Sequence, residues 1–339
     1  MKAMVLAGGK STRLYPLTLA TPKPLVPIAG EANVAHVLRY LRAYGIREVA
    51  INVHYHADQV RGYFGDGSAY GVSLTYLYEK ELLGSAGAVE QMRDFFCGET
   101  FVVVGCDELT DLRLDTLIDF HRARRALATI ALVHADDVTQ YGVVRTDEDG
   151  RICEFQEKPA KGEERSHLVN TGIYVFEPGI FEYIPAGVFV DFGKEVFPAL
   201  QRARAAFYAH RGDDYWCDIG TPGEYRRATR DVLSGVIRLN GRRRAIGVDP
   251  TAVIDPTARI EGDVAIGART RVGAGARIIG PTVIGCDGVI GVGAELRGCI
   301  LWDRVRVEEG AVLDDVILGH ESVVAAEARL STEVLAARA

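Results

Sequence analysis

This chain has few cysteines and no long apolar run, and both features limit the classes of protein to which it can belong. The 6 cysteines are widely spaced and form no Cys-x-x-Cys pair, so we expect reduced thiols in a cytoplasmic protein. No run of about 18 apolar residues occurs, so we expect no membrane-crossing helix. The net charge of −7 argues against a nucleic-acid-binding protein, whose binding face is usually basic. At 339 residues the chain is long enough for two domains.

The first loop also lacks the two common nucleotide-binding motifs. Gly9-Lys10-Ser11 supplies the tail of a Walker A loop, but Met4 stands where the first glycine of that motif belongs. Gly8 and Gly9 are adjacent, so the dinucleotide pattern Gly-x-Gly-x-x-Gly is missing as well. A tight turn that binds no ligand remains an alternative interpretation of this loop.

What the loop has instead is a pair of glycines followed by two cations. Gly8 and Gly9 come directly after a short apolar strand that ends near Leu6. Because glycine has no Cβ atom, the backbone there can approach a ligand and point its amides at it. Arg13 and Lys23 then bring positive charge to the same loop region. This combination predicts a cradle for a triphosphate.

Residues 1–235 alternate between strand-like and helix-like segments. Val34, Val37, Leu38 and Leu41 recur at helical spacing, and Thr221 begins a second helix as an N-cap followed by proline. Apolar, β-branched runs predict strands at 49–53, 72–77, 101–104, 129–133 and 168–176. Such alternation predicts an α/β domain with a Rossmann-like, mostly parallel sheet and helices on both faces. Ligands of such sheets bind at the carboxyl ends of the strands, where the glycine loop lies.

A different pattern begins near residue 248. Aliphatic side chains recur every six residues without a slip, at Val248, Ile254, Ile260, Ile266, Val272, Ile278, Ile284, Ile290 and Leu296. This hexapeptide repeat predicts a left-handed parallel β-helix of four to five coils. The register slips near Trp302 and resumes at Val307 and Leu313. We therefore expect a catalytic domain at 1–235, a linker at 236–246 that contains Arg242–Arg244, a β-helix at 247–331 and a tail at 332–339.

The stretch at residues 6–27 resembles the signature of the sugar-nucleotidyltransferase (NDP-sugar pyrophosphorylase) family. That signature is Leu-Ala-Gly-Gly-x-Gly-Thr-Arg-Leu-x-Pro-Leu-Thr, followed by Pro-Lys-Pro-Leu. One departure is Ser11, which replaces the third glycine and fits that position if its φ is negative. The resemblance covers nearly the whole chain and is closest to bacterial mannose-1-phosphate guanylyltransferase-like members with a C-terminal left-handed β-helix. It implies a reaction of a nucleoside triphosphate with a sugar 1-phosphate, giving an NDP-sugar and pyrophosphate.

The resemblance also implies roles for the motifs that contact the nucleotide. Arg13 would grip the departing pyrophosphate, and Lys23 would stabilise charge on the α-phosphoryl group. Leu83–Gly87 resembles the base-binding segment Leu-Gly-Thr-Ala-Gly of the family, although a helix start with Ser85 as its N-cap would leave the same pattern. The expected nucleotide-binding residues are Leu6, Ala7, Gly8, Gly9, Gly84, Ser85, Ala86 and Gly87.

Two aspartates resemble the metal ligands of the family, and the expected cofactor is Mg²⁺. Phosphoryl chemistry on a triphosphate requires a divalent metal, and carboxylates hold such metals. Asp107 closes the apolar run at 101–106, although Cys106 replaces the usual glycine before it. Asp218 lies in Trp-Cys-Asp-Ile-Gly-Thr-Pro, just before the predicted helix at Thr221. Two surface-turn aspartates are the alternative.

Four further segments resemble the elements that bind the sugar phosphate in the family. Lys158 would hold the phosphate, and Glu157 would accept hydrogen bonds from sugar hydroxyls. A lysine in Asp-Phe-Gly-Lys, Lys194, would also meet the phosphate. The full expected set is Tyr141, Gly142, Glu157, Lys158, Asn170, Thr171 and Lys194.

Several substrate pairs and functions stay open at this level. The expected order is GTP with mannose 1-phosphate, then UTP with glucose 1-phosphate, then dTTP with glucose 1-phosphate. A catalytically weak paralogue that binds an NDP-sugar and regulates a partner is another hypothesis. A β-helix acyltransferase would use His320, which is more typical of a surface or cap residue. Because a β-helix has unpaired edges and flat faces, we expect a homo-oligomer.

Overall fold

The computed structural model describes residues 1–96, 98–237, 239 and 247–337. Most of the predicted linker, including Arg242–Arg244, lies outside these residues, as do Cys97 and the end of the predicted tail. The chain divides into two compact units. The first unit comprises Met1–Lys10 and Val37–Trp216, and the second comprises Ser11–His36 and Cys217–Ala339. None of the described helices has the length and apolar content needed to cross a membrane.

The described part of residues 1–235 contains thirteen strands and seven α-helices. The strands are β1 (Lys2–Leu6), β2 (Pro27–Ile28), β3 (Glu31–Ala32), β4 (Glu48–Val53), β5 (Ser73–Tyr78), β6 (Phe101–Gly105), β7 (Glu108–Thr110), β8 (Ala128–His134), β9 (Gly142–Thr146), β10 (Ile152–Glu157), β11 (Leu168–Phe176), β12 (Phe207–Arg211) and β13 (Trp216–Asp218). The helices are α1 (Asn33–Ala43), α2 (Ala57–Phe64), α3 (Gly84–Gln91), α4 (Arg93–Phe96), α5 (Leu114–Ala123), α6 (Phe197–Arg202) and α7 (Pro222–Leu233). Short 3₁₀ turns lie at Thr12–Leu14, Leu17–Leu19, Lys23–Leu25, Ser68–Tyr70 and Pro178–Tyr183, and a π-helical turn lies at Phe192–Val196.

The first unit is built on one nine-stranded sheet. Its order is β10-β9-β11-β6-β1-β4-β5, with β8 beside β11 and β12 beside β8. The predicted parallel core is confirmed, because β6, β1, β4 and β5 all run in the same direction. Strand β11 runs antiparallel to β6 and β8, and β9 and β10 form an antiparallel pair. The carboxyl ends of β1 and β6 therefore lie side by side, with Leu6 paired to Gly105.

Aromatic rings dominate the core of the first unit. Phe101 stacks on Phe96 with ring centroids 4.0 Å apart, and Phe176 stacks on Phe192 at 5.0 Å. All four rings are almost completely buried. Burying a Phe side chain contributes on the order of 2 kcal/mol, so this cluster holds the helices firmly on the sheet. This packing also fixes the strands that end at the glycine loop.

The second unit contains the predicted β-helix. Its strands are β14 (Val253–Ile254), β15 (Arg259–Glu261), β16 (Val264–Ile266), β17 (Arg271–Val272), β18 (Arg277–Ile279), β19 (Thr282–Ile284), β20 (Val289–Ile290), β21 (Glu295–Arg297), β22 (Ile300–Leu301), β23 (Arg306–Val307), β24 (Val312–Asp314), β25 (Ile317–Leu318), β26 (Val323–Val324), β27 (Arg329–Ser331) and β28 (Val334–Leu335). They form three parallel sheets of five strands each, as a left-handed β-helix requires. The repeat aliphatics from Ile266 to Leu296 are buried, whereas Val248 at the start of the repeat is 45% exposed.

The slip of the repeat near Trp302 has a simple cause in the pairing. Ile284 pairs with Leu301, and Leu296 pairs with Leu313, so these coils are one residue shorter than the coil that pairs Val272 with Ile290. The inward aliphatic after Leu296 is therefore Leu301, which is buried in the β-helix core. The shortened coil leaves Trp302 just outside its strand.

Helix α7 begins as the sequence predicts and packs within the second unit. The Thr221 hydroxyl accepts a hydrogen bond of 3.2 Å from the Glu224 amide, which caps the helix. At its other end, Leu233 forms a small apolar cluster with Ala265 and Val283 of the β-helix. Helix α7 therefore lies against the third β-helix sheet.

Candidate active site

The glycine loop of the first unit is held by a polar chain from two neighbouring strands. The Asn52 side chain accepts a hydrogen bond of 2.8 Å from the Ala7 amide and donates one of 2.6 Å to Glu79 Oε2. A Cβ atom at Gly8 would lie 2.5 Å from Glu79 Oε2 and 2.7 Å from Asn52 Nδ2. Only glycine fits at position 8, because any side chain would displace this carboxylate–amide pair.

A cavity of about 230 Å³ opens beside this pair. The residues that line it are Leu6, Gly8, Gly9, Asn52, Glu79, Leu82, Gly84, Ser85 and Phe189. Glu79 is 7% exposed, and its Oε1 accepts a hydrogen bond of 3.1 Å from the Leu83 amide. Because a carboxylate has about four acceptor positions, Glu79 retains capacity for further donors after these two bonds. The cavity thus combines apolar walls, bare glycine backbone and one buried acceptor group.

The second wall of the cavity joins the start of α3 to the segment at 188–192. The amides of Ala86 and Gly87 both donate to the Val190 carbonyl, at 3.0 and 3.2 Å, and the Val190 amide donates to Leu83 O at 2.8 Å. These two amides are therefore bonded within the protein and do not face the cavity. Helix α3 begins at Gly84, with Leu83 as its N-cap, so the expected N-cap role of Ser85 is wrong.

Ser85 instead joins the two segments through its side chain. Its hydroxyl donates to Asp191 Oδ2 at 3.1 Å and accepts from the Phe192 amide at 3.0 Å. The segment at 188–192 therefore carries Phe189 to the cavity on a backbone fixed at both ends. The Phe189 ring is 60% exposed, and its Cζ would lie 3.2 Å from a Cβ atom at Gly84.

Several of the residues expected to bind the sugar phosphate lie around Glu157 in the first unit. A Cβ atom at Gly193 would lie 2.8 Å from Glu157 Oε2, and one at Gly142 would lie 3.3 Å from the same oxygen. Partial burial raises the pKa of Glu157 above its usual range, although Lys158 and Lys194 oppose this effect. Lys158 Nζ lies 3.9 Å from Glu157 Oε1, and both lysines are largely exposed. The structure thus brings one partly exposed carboxylate and two cations together.

A second group lies around Trp216. The Trp216 indole donates to Glu108 Oε2 at 2.6 Å and to the Thr171 carbonyl at 2.9 Å, and its ring packs edge-to-face on Tyr141. Thr171 is fully buried, and its hydroxyl donates to a strand carbonyl. The Asn170 amide donates to a tyrosine hydroxyl at 3.0 Å. The described bonds of Asn170 and Thr171 therefore hold strand β11 in place.

Asp107 belongs to an acidic pair at the carboxyl end of β6. A Cβ atom at Gly105 would lie 2.9 Å from Asp107 Oδ1 and 2.8 Å from Glu108 Oε1. Gly105 thus leaves room for two carboxylates beside the strand end. Cys106 is buried next to them and is in no disulfide.

In the second unit, two expected catalytic cations meet an expected metal ligand. Arg13 Nη2 lies 3.4 Å from Asp218 Oδ2, and Lys23 Nζ lies 3.9 Å from Asp218 Oδ1. Lys23 is buried, whereas Arg13 is largely exposed. A Cβ atom at Gly220 would lie 2.6 Å from Asp218 Oδ1 and 2.7 Å from Arg13 Nη2. Glycine at 220 is therefore needed for this charged group to form.

Ser11 departs from the expected conformation. Its φ is +52° and its ψ is +47°, which is the left-handed region that suits glycine. For a residue with a side chain this conformation costs about 1 kcal/mol. The condition that Ser11 should have a negative φ is therefore not met, and the loop holds the serine in a conformation that glycine adopts more readily.

The donor set fits a hard divalent cation. Asp107 and Asp218 offer carboxylate oxygens, the ligands that Mg²⁺ prefers. In the part of the chain that the structure describes, no group of three or more potential ligands forms a complete metal cage. Magnesium sites for nucleotides usually need only one or two carboxylates, because phosphate oxygens and waters complete the shell.

His320, the candidate base of an acyltransferase, lies against an indole in the β-helix. Its ring centroid is 4.9 Å from that of Trp302, and its Nδ1 lies 3.9 Å from Asp303 Oδ2. Burial lowers the pKa of His320 below its usual value, against the opposing effect of Asp303. The half-buried ring thus packs beside the coil as a cap residue does.

Asn52, Glu79 and Phe189 were missed by reasoning from the sequence. Asn52 is a polar residue in an apolar strand, and Glu79 directly follows β5, so both lie at carboxyl ends of parallel strands. That position is a usable signal in α/β sheets. Phe189 carries no such signal, because it is far from the glycine loop in the sequence.

Comparisons with known proteins agree on one family. The sequence profile described as nucleotidyl transferase matches residues 2–235. A UTP–glucose-1-phosphate uridylyltransferase from Synechocystis sp. is 39% identical over 95% of this chain and 88% of its own length. A mannose-1-phosphate guanylyltransferase from Mycobacterium tuberculosis is 36% identical over 92% of this chain and 82% of its own length.

A solved structure is also similar to part of the chain. HddC from Yersinia pseudotuberculosis, complexed with GMP-PN, aligns with a TM-score of 0.59 at 25% sequence identity. The alignment covers 67% of this chain and 97% of that chain.

Proposed function

Because the chain belongs to the nucleotidyl transferase family, we propose that it makes GDP-mannose and pyrophosphate from GTP and mannose 1-phosphate. The broader activity, transfer of a nucleotidyl group to a sugar 1-phosphate, follows from the family and from relatives that span most of the chain. The choice of GTP and mannose 1-phosphate is the more specific part of the proposal.

The buried carboxylate of Glu79 is the observation that favours guanine. A guanine base presents two adjacent donors, its ring N1–H and its exocyclic amino group, and a carboxylate can accept from both. Uracil and thymine present a single N–H between two carbonyl oxygens, which a carboxylate would repel. The name of the M. tuberculosis relative and the ligand in the HddC structure point the same way.

The reaction needs no covalent intermediate with the enzyme, because the sugar phosphate is already an ionised nucleophile. One of its phosphate oxygens attacks the α-phosphorus in line with the leaving pyrophosphate. Catalysis then consists of positioning and charge neutralisation. We propose that Arg13 binds the departing pyrophosphate and that Lys23, buried and close to Asp218, stabilises charge on the α-phosphoryl group.

We propose Asp107 and Asp218 as carboxylates that hold Mg²⁺. When bound, the ion would neutralise phosphate charge and orient the two substrates. On the sugar side, Lys158 and Lys194 would contact the sugar phosphate, and Glu157 would accept from sugar hydroxyls. The position of the partly exposed Glu157 carboxylate beside Gly142 and Gly193 supports this role, because neither glycine has a side chain to hinder the approach of a hydroxyl.

The UTP–glucose pair is the second candidate, because the Synechocystis relative carries that name at 39% identity. The test is pyrophosphate release by the purified protein with Mg²⁺. GTP, UTP, dTTP, ATP and CTP are each combined with mannose, glucose and related sugar 1-phosphates. Dominance of GTP with mannose 1-phosphate would support the proposal, and dominance of UTP with glucose 1-phosphate would replace it. A lack of turnover with ligand-dependent thermal shifts would favour the regulatory NDP-sugar binder.

We further propose that copies of the chain associate through the first β-helix sheet, in the cytoplasm. Val253, Val289 and Val323 lie in one row of that sheet, where they alternate with Arg271 and Arg306, and Val253 and Val323 are 63% and 64% exposed. Exposed apolar side chains and arginines are both found at protein interfaces. The five cysteines that the structure describes are free thiols, which suits a reducing compartment. Light scattering of wild type and Val323→Asp would test the association.

A further inference from the structure

Trp302 is much larger than the residues at the corresponding positions of the other coils of the β-helix. The residues that follow the five strands of the third β-helix sheet are glycines at 267, 285 and 319, alanine at 336 and tryptophan at 302. A Cβ atom at Gly267 would lie 2.6 Å from the Cys286 amide nitrogen, and one at Gly285 would lie 2.7 Å from that of Asp303. The coils therefore favour glycine at this position. A buried tryptophan at one of them indicates a specific contact.

That contact is a directed chain of hydrogen bonds within the second unit. The Trp302 indole donates to the Tyr225 hydroxyl at 2.9 Å, and the Tyr225 hydroxyl donates to the Pro27 carbonyl at 2.6 Å. An indole N–H can only donate and a carbonyl can only accept, so the phenol between them must do both. Burial raises the pKa of Tyr225, which keeps its proton in place. The chain of hydrogen bonds therefore runs in one direction, from Trp302 to Pro27, and each of these polar atoms is bonded.

This chain of hydrogen bonds joins two segments that lie next to the proposed catalytic residues in the sequence. Pro27 follows the turn that carries Lys23, and the Val26 amide donates to the Lys23 carbonyl at 3.1 Å. Tyr225 lies on α7, the helix that follows Asp218 in the sequence. Lys23 Nζ lies 3.9 Å from Asp218 Oδ1. Tyr225 thus links the backbone near Lys23 to the helix that follows Asp218.

Helix α7 is tied to the β-helix a second time at the next residue. Arg226 Nη2 donates to the Asp315 carbonyl at 2.9 Å, and its Nε lies 3.0 Å from Asp315 Oδ1. The β-helix therefore holds both sides of Tyr225, through Trp302 and through Asp315. Rotation or sliding of α7 would break these bonds together.

We propose that Trp302 is a positioning residue for catalysis: through Tyr225 it fixes Lys23 relative to Asp218. The β-helix then acts as part of the catalytic apparatus. This inference rests on the proposed function, because Lys23 and Asp218 have their roles only in nucleotidyl transfer.

The test compares Trp302→Phe and Tyr225→Phe in the full chain. Each keeps an aromatic ring in the core; Tyr225→Phe removes only the hydroxyl, whereas Trp302→Phe removes the indole N–H together with some ring volume. We expect kcat to fall about tenfold in each, the effect of losing one hydrogen bond in the transition state, while KM for both substrates changes less than about threefold. The double variant should lose little more kcat than either single variant, because both residues act through the same chain of hydrogen bonds.

Ile278→Ala is the matched control, because Ile278 is buried in the β-helix core and lies in the second β-helix sheet, outside the segments that bond α7. It should lower the melting temperature at least as much as Trp302→Phe and leave kcat unchanged well below that temperature. The positioning role would be overturned by an unchanged kcat in both Trp302→Phe and Tyr225→Phe. It would also be overturned if the loss of kcat simply followed the loss of melting temperature across these two variants and the control. A wild-type protein without turnover on any substrate pair would instead overturn the proposed function, and this inference with it.

Discussion

The carboxylate of Glu79 and the side-chain amide of Asn52 are 2.6 Å apart, and both groups line the cavity beside the glycine loop. The contact fixes the carboxylate under the glycine loop, and Asn52 holds the loop itself through the Ala7 amide. A rigid acceptor beside bare glycine backbone discriminates among bases by their donors, because its position cannot adjust to a base of the wrong pattern.

Glu79→Gln should therefore weaken the preference for GTP. The amide replaces one acceptor oxygen with a donor, so the bidentate contact to guanine is lost. We expect the ratio of kcat/KM for GTP to that for UTP to fall about tenfold or more, the scale of one bidentate base contact. Glu81→Gln is the control, because Glu81 is an exposed glutamate outside the cavity lining. Equal losses with both nucleotides in Glu79→Gln would contradict a role in base selection.

Phe189→Ala should raise KM for the nucleoside triphosphate. The exposed ring lies at the cavity on a fixed backbone and offers a flat apolar surface for a base to stack on, worth about 1–3 kcal/mol. We expect KM to rise about tenfold or more while kcat stays near that of wild type, and Phe189→Tyr should restore KM. Val188→Ala removes a neighbouring side chain that is 48% exposed and absent from the cavity lining, so it should change neither constant. A change confined to kcat would argue against stacking.

Arg13→Ala should lower kcat by about 100-fold or more, because one electrostatic stabiliser of the departing pyrophosphate is lost. Asp107→Asn should have an effect of similar size through loss of a metal-binding carboxylate. Lys10→Ala is the control for charge alone, because Lys10 is exposed in the same loop. Initial rates of pyrophosphate release at saturating substrate measure the effect. Near-normal turnover in Arg13→Ala or Asp107→Asn would remove the assigned role of that residue.

Stability should decrease as the pH falls below about 6.5, in part because of His121. Burial lowers the pKa of His121, although its contact with Glu177 opposes the shift. The unfolded chain then binds a proton at a higher pH than the folded one, so unfolding becomes more favourable between the ordinary pKa and the lowered one. Each unit of lowering is worth about 1.4 kcal/mol of unfolding free energy.

His121→Gln should reduce this pH dependence. Glutamine can bond Thr129 and Glu177 but does not titrate, so the variant should lose less stability between pH 7.5 and pH 5.5 than wild type does. Denaturant unfolding at the two pH values measures the difference. Identical losses in wild type and variant would show that His121 does not contribute.

The amino-acid sequence was most informative where function depends on local backbone or strict periodicity. The six-residue repeat predicted a β-helix, which the strand pairing confirms. The glycine pair at 8 and 9 predicted a phosphate-binding loop, and both glycines line a cavity. These features are readable because the backbone conformation at a glycine and the inward side of a coil depend on residues close in the sequence. Ser11 shows the limit of such reasoning, because its positive φ is imposed by the surrounding loop.

What only the tertiary structure decided are contacts between distant segments. The sequence singled out Gly8, Lys23 and Asp218, but it did not connect Glu79 and Phe189 to the cavity beside the glycine loop, or Trp302 and Tyr225 to the turn that carries Lys23. Those contacts arise from strand order and coil packing, which bring together residues with no shared sequence pattern. The sequence thus determined by itself the glycine loop and the coils of the β-helix, and folding decided which side chains surround that loop, because hydrogen bonds and packing depend on distance in space.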